Sequence, residues 1–394
     1  MEAAALDWAN LALRWLHVIA GIAWIGESFY FMWLDASLEA RTGLPIGVKG
    51  ESWIVHGGGF YHVEKFLVAP DALPDRLHWF KYEAYTTWAS GFLLLCVIYY
   101  AGAATYLVDP AVAALSPGLA IGLSAGSLGL GWLVYHGLCR SPLGRRPGVL
   151  TAAVFVLVAV SAWGYFHLFG GRAAALHVGA FLGTLMAANV FFVIIPNQKR
   201  MVAALLAGRE PQAALGVEGK QRSTHNNYFT LGAVLMMVSG HYPALYAHRF
   251  GWASVLAMLV VGALIRDAVN RRNAGAGGVA WRGVGAVAVF AAVVVLSLRL
   301  SARPPEATTT AAVTTAEVEA IVARRCAACH ARVPSDRTFD APPAGVVLES
   351  AADVLRHRDR VRALAVASRA MPLANKTGMT DDERARLGRW LAAH

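Results

Sequence analysis

The sequence predicts an all-α protein that consists of a polytopic membrane helix bundle and a small soluble domain. Of the 394 residues, 57% are hydrophobic and only 15% are charged, which is too apolar for a soluble globular protein. The apolar residues form long runs that stop near Leu300. We therefore assign residues 1–300 to the membrane domain, residues 301–317, rich in Pro, Thr and Ala, to an extended tether, and residues 318–394 to the soluble domain.

Eight apolar runs are long enough to cross the hydrocarbon core of a bilayer, which takes about 20 residues in a helix. The predicted spans are 10–34, 84–107, 117–138, 148–169, 173–195, 227–246, 251–270 and 281–299. Small residues at four-residue spacing, such as Gly179 and Gly183, suit close packing of helices in lipid. The acidic start "MEAAALDWAN" and the long run after it predict an anchor rather than a cleaved signal peptide.

The distribution of charge predicts the orientation of the bundle. The net charge is +10, but the basic residues cluster in loops between the spans, so no nucleic-acid partner is needed to explain them. With eight spans and both ends of the chain outside, most basic residues fall in cytoplasmic loops, Arg222 and Arg266 among them. This is the distribution that the positive-inside rule requires.

The soluble domain opens with the motif C-x-x-C-H, formed by Cys326, Cys329 and His330. In this pattern two thiols add to the vinyl groups of a haem, and the adjacent histidine becomes an iron ligand. A C-x-x-C redox pair or half of a zinc site would not need that histidine. We predict one covalent haem c, which places the domain outside the inner (cytoplasmic) membrane of a bacterium, in the periplasm. Cys96 and Cys139 are interpreted as packing residues.

A methionine later in the domain supplies the second predicted iron ligand. Met371 is followed by Pro372, and Met379 is the alternative ligand. Thr380 is the predicted N-cap of a helix that runs to the end of the chain, with Trp390 packing near the haem. Together these features resemble a small class I cytochrome c, in which His–Met ligation raises the reduction potential.

Histidines near the outer ends of the spans are candidate ligands of a second haem, of type b. They are His17, His167, His177 and His241. If oxidation takes place near the cytoplasmic side, electrons must cross about 30 Å of hydrocarbon, and an intermediate centre would shorten the tunnelling distance. Neutral imidazoles in a helix bundle suit such a centre, and His17 with His177 is the preferred pair. The alternative is that these histidines are hydrogen-bonded interfacial residues.

Polar residues towards the cytoplasmic side form a candidate site for substrate and proton transfer. They are Glu27, His56, His62, Glu64, Lys65, His225, Asn226 and Asn227. Amides, a lysine and aromatic residues suit a flat, hydrogen-bonding heterocycle, and they also suit a quinone head group. Two structural alternatives are open: Asn226 as a helix N-cap, and Glu27 as the buried ion-pair partner of a cytoplasmic Arg or Lys.

Several stretches of the chain resemble one family of membrane proteins. They are "RWLHVIAGIAWIGESFYFMWLD", "GGGFYHVEKF", "LHWFKYEAYTTWASGF", "NVFFVIIPNQ", "HNNYFTL" and "HYP", followed by the cytochrome-like tail. With both domains in the same order, the chain is similar to the membrane-bound bacterial urate oxidases, also called urate hydroxylases. The resemblance implies oxidation of urate to 5-hydroxyisourate in purine degradation, with haem c held by Cys326, Cys329, His330 and Met371.

The resemblance also implies that electrons pass from haem c to the respiratory chain, through an acceptor such as a terminal oxidase or a soluble cytochrome c. We expect the urate monoanion to be held by Lys65 and by the amide of Asn226 or Asn227. A nearby histidine or Glu27 would take a proton, and water would add at C5 of the purine. The alternatives are a quinol-oxidising membrane cytochrome, and a transporter or membrane anchor that carries a tethered cytochrome c.

Overall fold

A computed structural model of the chain describes residues 2–67, 70, 73–301, 312–336 and 338–394. Most of the predicted tether, residues 302–311, lies outside the described residues. The first part of the chain forms α1 (Glu2–Ser37), β1 (Val48–His56), β2 (Gly59–Phe66), α2 (Tyr82–Leu94), α3 (Ala103–Tyr106), α4 (Pro117–Arg140), α5 (Pro147–Leu168), α6 (Gly171–Asn189), α7 (Ile195–Leu206), α8 (Ala213–Ser239), α9 (Pro243–Tyr246), α10 (Gly251–Asn273) and α11 (Val279–Ser301). The structure is mostly helical, as predicted.

Six of the described helices are long and apolar enough to cross a membrane. They are Ala5–Ser37, Pro117–Arg140, Pro147–Leu168, Gly171–Leu206, Gly251–Asn273 and Val279–Leu300. The expected count of eight is therefore not confirmed by length and composition. The helix α2 has 13 residues and passes into a π-helical segment, Leu95–Tyr100. The helix α8 begins at Ala213, well before the predicted start at residue 227, so that its first half carries charged residues.

The helices pack into one bundle around a buried core. Fully buried residues come from α4, α5, α6 and α8: Ala120, Tyr135, Ala162, Leu185 and Met236. The helix α8 approaches α6 at Gly179, where an added Cβ would lie 2.6 Å from the Cβ of Met236. Gly183, the other member of that predicted packing pair, has no neighbour within 4 Å of such a Cβ in the described part of the chain.

Two arginines contradict their assignment to cytoplasmic loops. Arg222 lies in α8 with none of its surface exposed, and Arg266 lies in α10 with 4% exposed. Both residues are therefore inside the bundle. The positive-inside rule counts basic residues that flank apolar runs, and it does not distinguish these two from loop residues. A charge in such a position is costly and is a signal of function.

The sequence analysis did not predict the antiparallel β1–β2 hairpin. Its register places Trp53 opposite His62 and Glu51 opposite Glu64. Gly57 and Gly58 form the tight turn with φ angles of 60° and 80°, values that favour glycine over residues with a Cβ. The purely α-helical prediction was wrong for this segment.

The C-terminal part of the chain forms a second, smaller helical unit. Its helices are α12 (Thr315–Arg325), α13 (Ala327–His330), α14 (Ala351–Arg356), α15 (Arg358–Val361) and α16 (Asp381–Ala393). Thr380 is the N-cap of α16 as predicted, and it forms a capping box with Glu383, which satisfies backbone N–H groups of the first turn. Its own core contains Val318, Leu387 and Trp390.

The C-terminal unit contacts the bundle near α3 and α9. The backbone N–H of Arg369 donates to the carbonyl oxygen of Ala247 across 3.4 Å, and the hydroxyls of Thr105 and Thr338 are 3.4 Å apart. A cavity of about 730 Å³ lies beside these contacts, and Tyr106 is among its lining residues. The C-terminal unit is thus held close to one end of the bundle.

Candidate functional site

The C-x-x-C-H segment forms a compact turn at the end of α12. Cys326 is the C-cap of α12, and its carbonyl oxygen accepts hydrogen bonds from the backbone N–H groups of Cys329 and His330 at 3.2 and 2.9 Å. Both cysteines are half-buried and free of disulfides. Burial raises the pKa of the Cys326 thiol to about 11. The turn therefore presents two protonated thiols and an imidazole from adjacent positions.

The imidazole of His330 has a fixed tautomer. Its Nδ1 atom lies 2.9 Å from the carbonyl oxygen of Val346, and because a carbonyl oxygen only accepts hydrogen bonds, Nδ1 carries the proton. The lone pair is then on Nε2. A backbone carbonyl bound to one ring nitrogen is the arrangement that orients a metal-binding histidine.

The two candidate methionine ligands occupy different environments. Met371 is half-buried and packs against the outside of the domain core, and its carbonyl oxygen accepts a 2.5 Å hydrogen bond from Arg384. Met379 is 3% exposed and belongs to the core itself. The Nε1 atom of Trp390, in the same core, is buried without a hydrogen-bond partner among the described residues. Together with Cys326, these groups fit a c-type haem.

The preferred pair of b-haem ligands is not joined by any contact among the described residues. His17 donates from Nδ1 to the carbonyl oxygen of Thr87 at 2.9 Å, which leaves the lone pair on Nε2. His177 is fully buried and donates from Nδ1 to the carbonyl oxygen of Ala173. Its Nε2 atom accepts from the hydroxyl of Ser124 at 2.7 Å. The Nε2 atom of His17 therefore has no hydrogen-bond partner among the residues that the structure describes, whereas both nitrogens of His177 are engaged.

The other two outer histidines are exposed. His167 donates from Nδ1 to the carbonyl oxygen of Trp163 at 2.7 Å and packs against the indole ring of that residue. His241 lies just beyond the end of α8. Their surroundings agree with the alternative interpretation as interfacial residues, and the assignment of a b-type haem stays a prediction.

The hairpin holds several predicted site residues in ion pairs. Glu51 accepts from Arg41 at 2.5 and 3.0 Å and contacts the Nε2 atom of His62 at 2.8 Å. The hydrogen bond from Arg41, followed by that from His62, lowers the pKa of Glu51 to about 2. Glu64 lies near Glu51 and His62, and His56 is exposed at the end of β1.

Lys65 is also paired in the structure. Its Nζ atom donates to Asp35, and Lys220 from α8 donates to the other oxygen of the same carboxylate. The hairpin is thereby fixed to the ends of α1 and α8. The two lysines and one carboxylate together keep a net charge of +1, but the Nζ atom of Lys65 is already bound to Asp35. Lys65 is therefore a weaker candidate for direct contact with an anion than the sequence predicted.

A buried polar network connects α4, α6 and α8. The Tyr135 hydroxyl lies 2.7 Å from Nδ1 of His225 and accepts from the Asn189 amide at 3.1 Å. The same amide donates to Asn226 at 3.0 Å, and Arg222 donates to the Asn189 oxygen at 3.4 Å. Sequence reasoning found two members of this network and missed Tyr135, Asn189 and Arg222. Their signal was the presence of polar residues within or beside apolar runs.

Asn226 is not a helix N-cap. It lies in the middle of α8, 7% exposed, and donates from its amide to the carbonyl oxygen of Met186 at 3.0 Å. The N-cap interpretation was wrong because α8 starts earlier than predicted. Asn227 is fully buried and accepts a 2.9 Å hydrogen bond from Asn270 of α10. The two amides therefore connect α8 to different neighbours.

Glu27 is half-buried in α1 and has no ion-pair partner among the described residues. Glu83 of α2 is close enough to act on it electrostatically, and the Oε2 atom of Glu83 is buried without a hydrogen-bond partner in the described part of the chain. The ion-pair alternative therefore has no support.

Comparison with known proteins gives one match. A family model described as "Urate oxidase N-terminal" matches residues 3–297, which include nearly all of the helical bundle. No curated protein and no solved structure matches the chain. The matched region contains the hairpin, the buried network and Glu27, and it ends before the C-x-x-C-H segment.

Proposed function

The chain belongs to the urate oxidase N-terminal family, and on this premise we propose that it is a membrane-bound urate oxidase. In the proposed reaction, urate and water give 5-hydroxyisourate, two protons and two electrons. The bundle oxidises urate on its cytoplasmic side, and the C-terminal domain receives the electrons. The enzyme works in the inner membrane of a bacterium and belongs to purine degradation.

The observation that carries the electron-transfer part of the proposal is the geometry of His330. Its Nδ1 proton is held by Val346, and its Nε2 lone pair is available within the same turn as Cys326 and Cys329. The two thiols would hold the haem covalently, and His330 and Met371 would bind its iron. When bound, the haem supplies a one-electron acceptor. A respiratory acceptor, such as a terminal oxidase or a soluble cytochrome c, completes the route.

The proposed topology has eight spans with both ends of the chain in the periplasm. The helix α2 runs beside α1, as the contact between His17 and Thr87 indicates, and α8 packs between α6 and α10. Both helices thus take part in the bundle although they are less apolar than the other six. Neighbouring helices form hydrogen bonds with several of their polar groups, which a polar helix needs inside a membrane. The Oε2 atom of Glu83 and the Nδ2 atom of Asn227 have no such partner among the described residues.

The protons have candidate acceptors in the inner half of the bundle. Glu83 lies within electrostatic range of Glu27, and His225 is hydrogen-bonded to Tyr135. These side chains accept protons from the substrate and from the attacking water in the proposed mechanism. A b-type haem at His17 remains part of the proposal as a possible intermediate centre for the electrons.

The test uses purified full-length protein, matured in a host that attaches haem c. Urate is added to the oxidised protein under nitrogen, and the haem α-band is recorded. We expect urate to reduce the haem. When the reaction is run in water labelled with heavy oxygen, we expect the product to carry that label. Reduction by quinol but not by urate would favour a quinol-oxidising cytochrome. Reduction by dithionite alone would favour an anchor or transporter.

A further inference from the structure

Arg266 is a buried cation without a counter-ion in the described part of the chain. It is 4% exposed, and its guanidinium lies over the ring of Phe29, 3.8 Å from the ring centroid. The carboxylate beside it, Asp267, is bound by Tyr228, Arg271 and Arg282 instead. An uncompensated charge in a low-dielectric bundle is strongly unfavourable, so this position calls for a negatively charged partner.

The free atoms of Arg266 identify the kind of partner. Its Nε and Nη2 atoms are buried and have no hydrogen-bond partner among the described residues. These two N–H groups lie on the same edge of the guanidinium, and that edge binds planar anions through two parallel hydrogen bonds. The ring of Phe29 covers the face of the guanidinium and leaves this edge for a ligand.

Two amides beside Arg266 add one free donor and one free acceptor. Asn270 lies one turn further along α10 and donates to the Oδ1 atom of Asn227 at 2.9 Å. The Nδ2 atom of Asn227 and the Oδ1 atom of Asn270 are buried without partners in the part of the chain that the structure describes. Four unpartnered polar atoms from three side chains therefore lie within about one turn of the α8–α10 contact.

We propose that the substrate monoanion binds between α8 and α10, on the free edge of Arg266 and beside the amides of Asn227 and Asn270. A planar heterocycle with one negative charge matches this set, since its carbonyl oxygens accept from the arginine and Asn227 while a ring N–H donates to Asn270. The inference rests on the proposed function for the identity of the anion. It replaces Lys65 with Arg266 as the cation that holds urate.

The test measures urate binding separately from turnover. Full-length protein with its haem is reduced with dithionite, so that bound urate is not oxidised, and equilibrium dialysis with labelled urate gives Kd. The variant R266K keeps the positive charge but loses the pair of parallel N–H donors. We expect it to raise the Kd for urate at least tenfold. N270D, which places a carboxylate beside the anion, should weaken binding by a similar factor.

The matched control is R172K, at the opposite end of the bundle. Arg172 is half-buried and also has an unpartnered Nε atom among the described residues, but it lies beside Gly240, away from Arg266. Its replacement should leave Kd for urate within twofold. The haem α-band and the elution volume in detergent report whether each variant is folded.

The outcomes separate this inference from the proposed function. If wild-type protein binds and oxidises urate and folded R266K binds it equally well, the site assignment is wrong and the function stands. If wild-type protein neither binds nor oxidises urate, the proposed function is wrong, and so is the identification of the anion as urate. If inorganic phosphate displaces urate at equal concentration, the preference for a planar heterocycle is overturned.

Discussion

The imidazole of His330 donates from Nδ1 to the carbonyl oxygen of Val346 across 2.9 Å. This single contact fixes the ring orientation and leaves Nε2 as the only lone pair of the side chain. The contact joins the C-x-x-C-H turn to a segment 16 residues further along the chain. The predicted iron ligand is therefore positioned by the protein fold itself, and the predictions for the C-terminal domain follow from that geometry.

Replacing Cys326 and Cys329 together with serine should abolish covalent haem. Serine hydroxyls do not form the thioether bonds that hold a c-type haem, so haem staining of a denaturing gel should be lost. The matched control replaces Cys96 and Cys139 with serine. These two residues lie in the bundle and are free cysteines, as Cys326 and Cys329 are. Staining of that control at wild-type intensity is expected. Retention of stain by the first variant would refute the assignment.

Met371 and Met379 should respond differently to replacement by leucine. M371L should remove the long-wavelength charge-transfer band of a ferric His–Met haem and lower the reduction potential, because leucine has no sulfur ligand. M379L keeps the volume of a core residue that is 3% exposed and should cost less than about 1.5 kcal/mol. Its spectrum should be that of wild type. The reverse result would make Met379 the ligand.

The ion pair between Asp336 and Lys376 should make the C-terminal domain sensitive to acid. Burial alone would raise the pKa of Asp336, but hydrogen bonds from Lys376 and Thr338 outweigh it and hold the pKa at about 2. Since the pKa is lower in the folded state than its ordinary value of 3.8, the stabilisation is complete above pH 3.8. It is lost as the pH falls from 3.8 to about 2.

The measurement is the urea midpoint of the haem-linked unfolding transition at neutral and at acidic pH. D336N should lower the midpoint at neutral pH and reduce the difference between the two conditions. The control is E349Q, which breaks the pair of Glu349 with Arg332, a side chain that is 82% exposed. Exposed pairs contribute about 0–1 kcal/mol. A wild-type profile for D336N would contradict the prediction.

The long apolar runs were sufficient to predict most of the bundle. The six described helices of highest hydropathy coincide with predicted spans, because burial in lipid requires about 20 apolar residues in succession. The hairpin was not predicted, since its strands mix polar and aromatic residues. Gly57 and Gly58, which separate the two strands, form the turn of the hairpin.

The candidate site was only partly predictable for a different reason. His225, Asn226 and Asn227 were recognised from their residue types, but their partners are on other helices. Asn189 is 37 residues from Asn226, and Asn270 is 43 residues from Asn227. Periodicity along a single helix carries no information about such contacts. The predicted haem residues of the C-x-x-C-H motif, by contrast, are adjacent in sequence, so the motif alone names them, and their assignment stays a prediction.

The contact between His17 and α2 should depend on the absence of a side chain at Gly91. A Cβ at this position would lie 2.7 Å from Cε1 of His17, closer than non-bonded carbons approach one another. G91A should therefore displace the imidazole from Thr87 and cost about 1–3 kcal/mol, as overpacking of a core does.

The control is G126A in α4, where an added Cβ meets no atom within 4 Å in the described residues. That variant should be neutral or more stable by up to about 1 kcal/mol. Thermal unfolding of both variants in the same detergent gives the comparison, and equal midpoints would show that α1 is not packed against α2 at His17. If His17 also binds a b-type haem, G91A should in addition lower the content of non-covalent haem, whereas G126A should leave it unchanged.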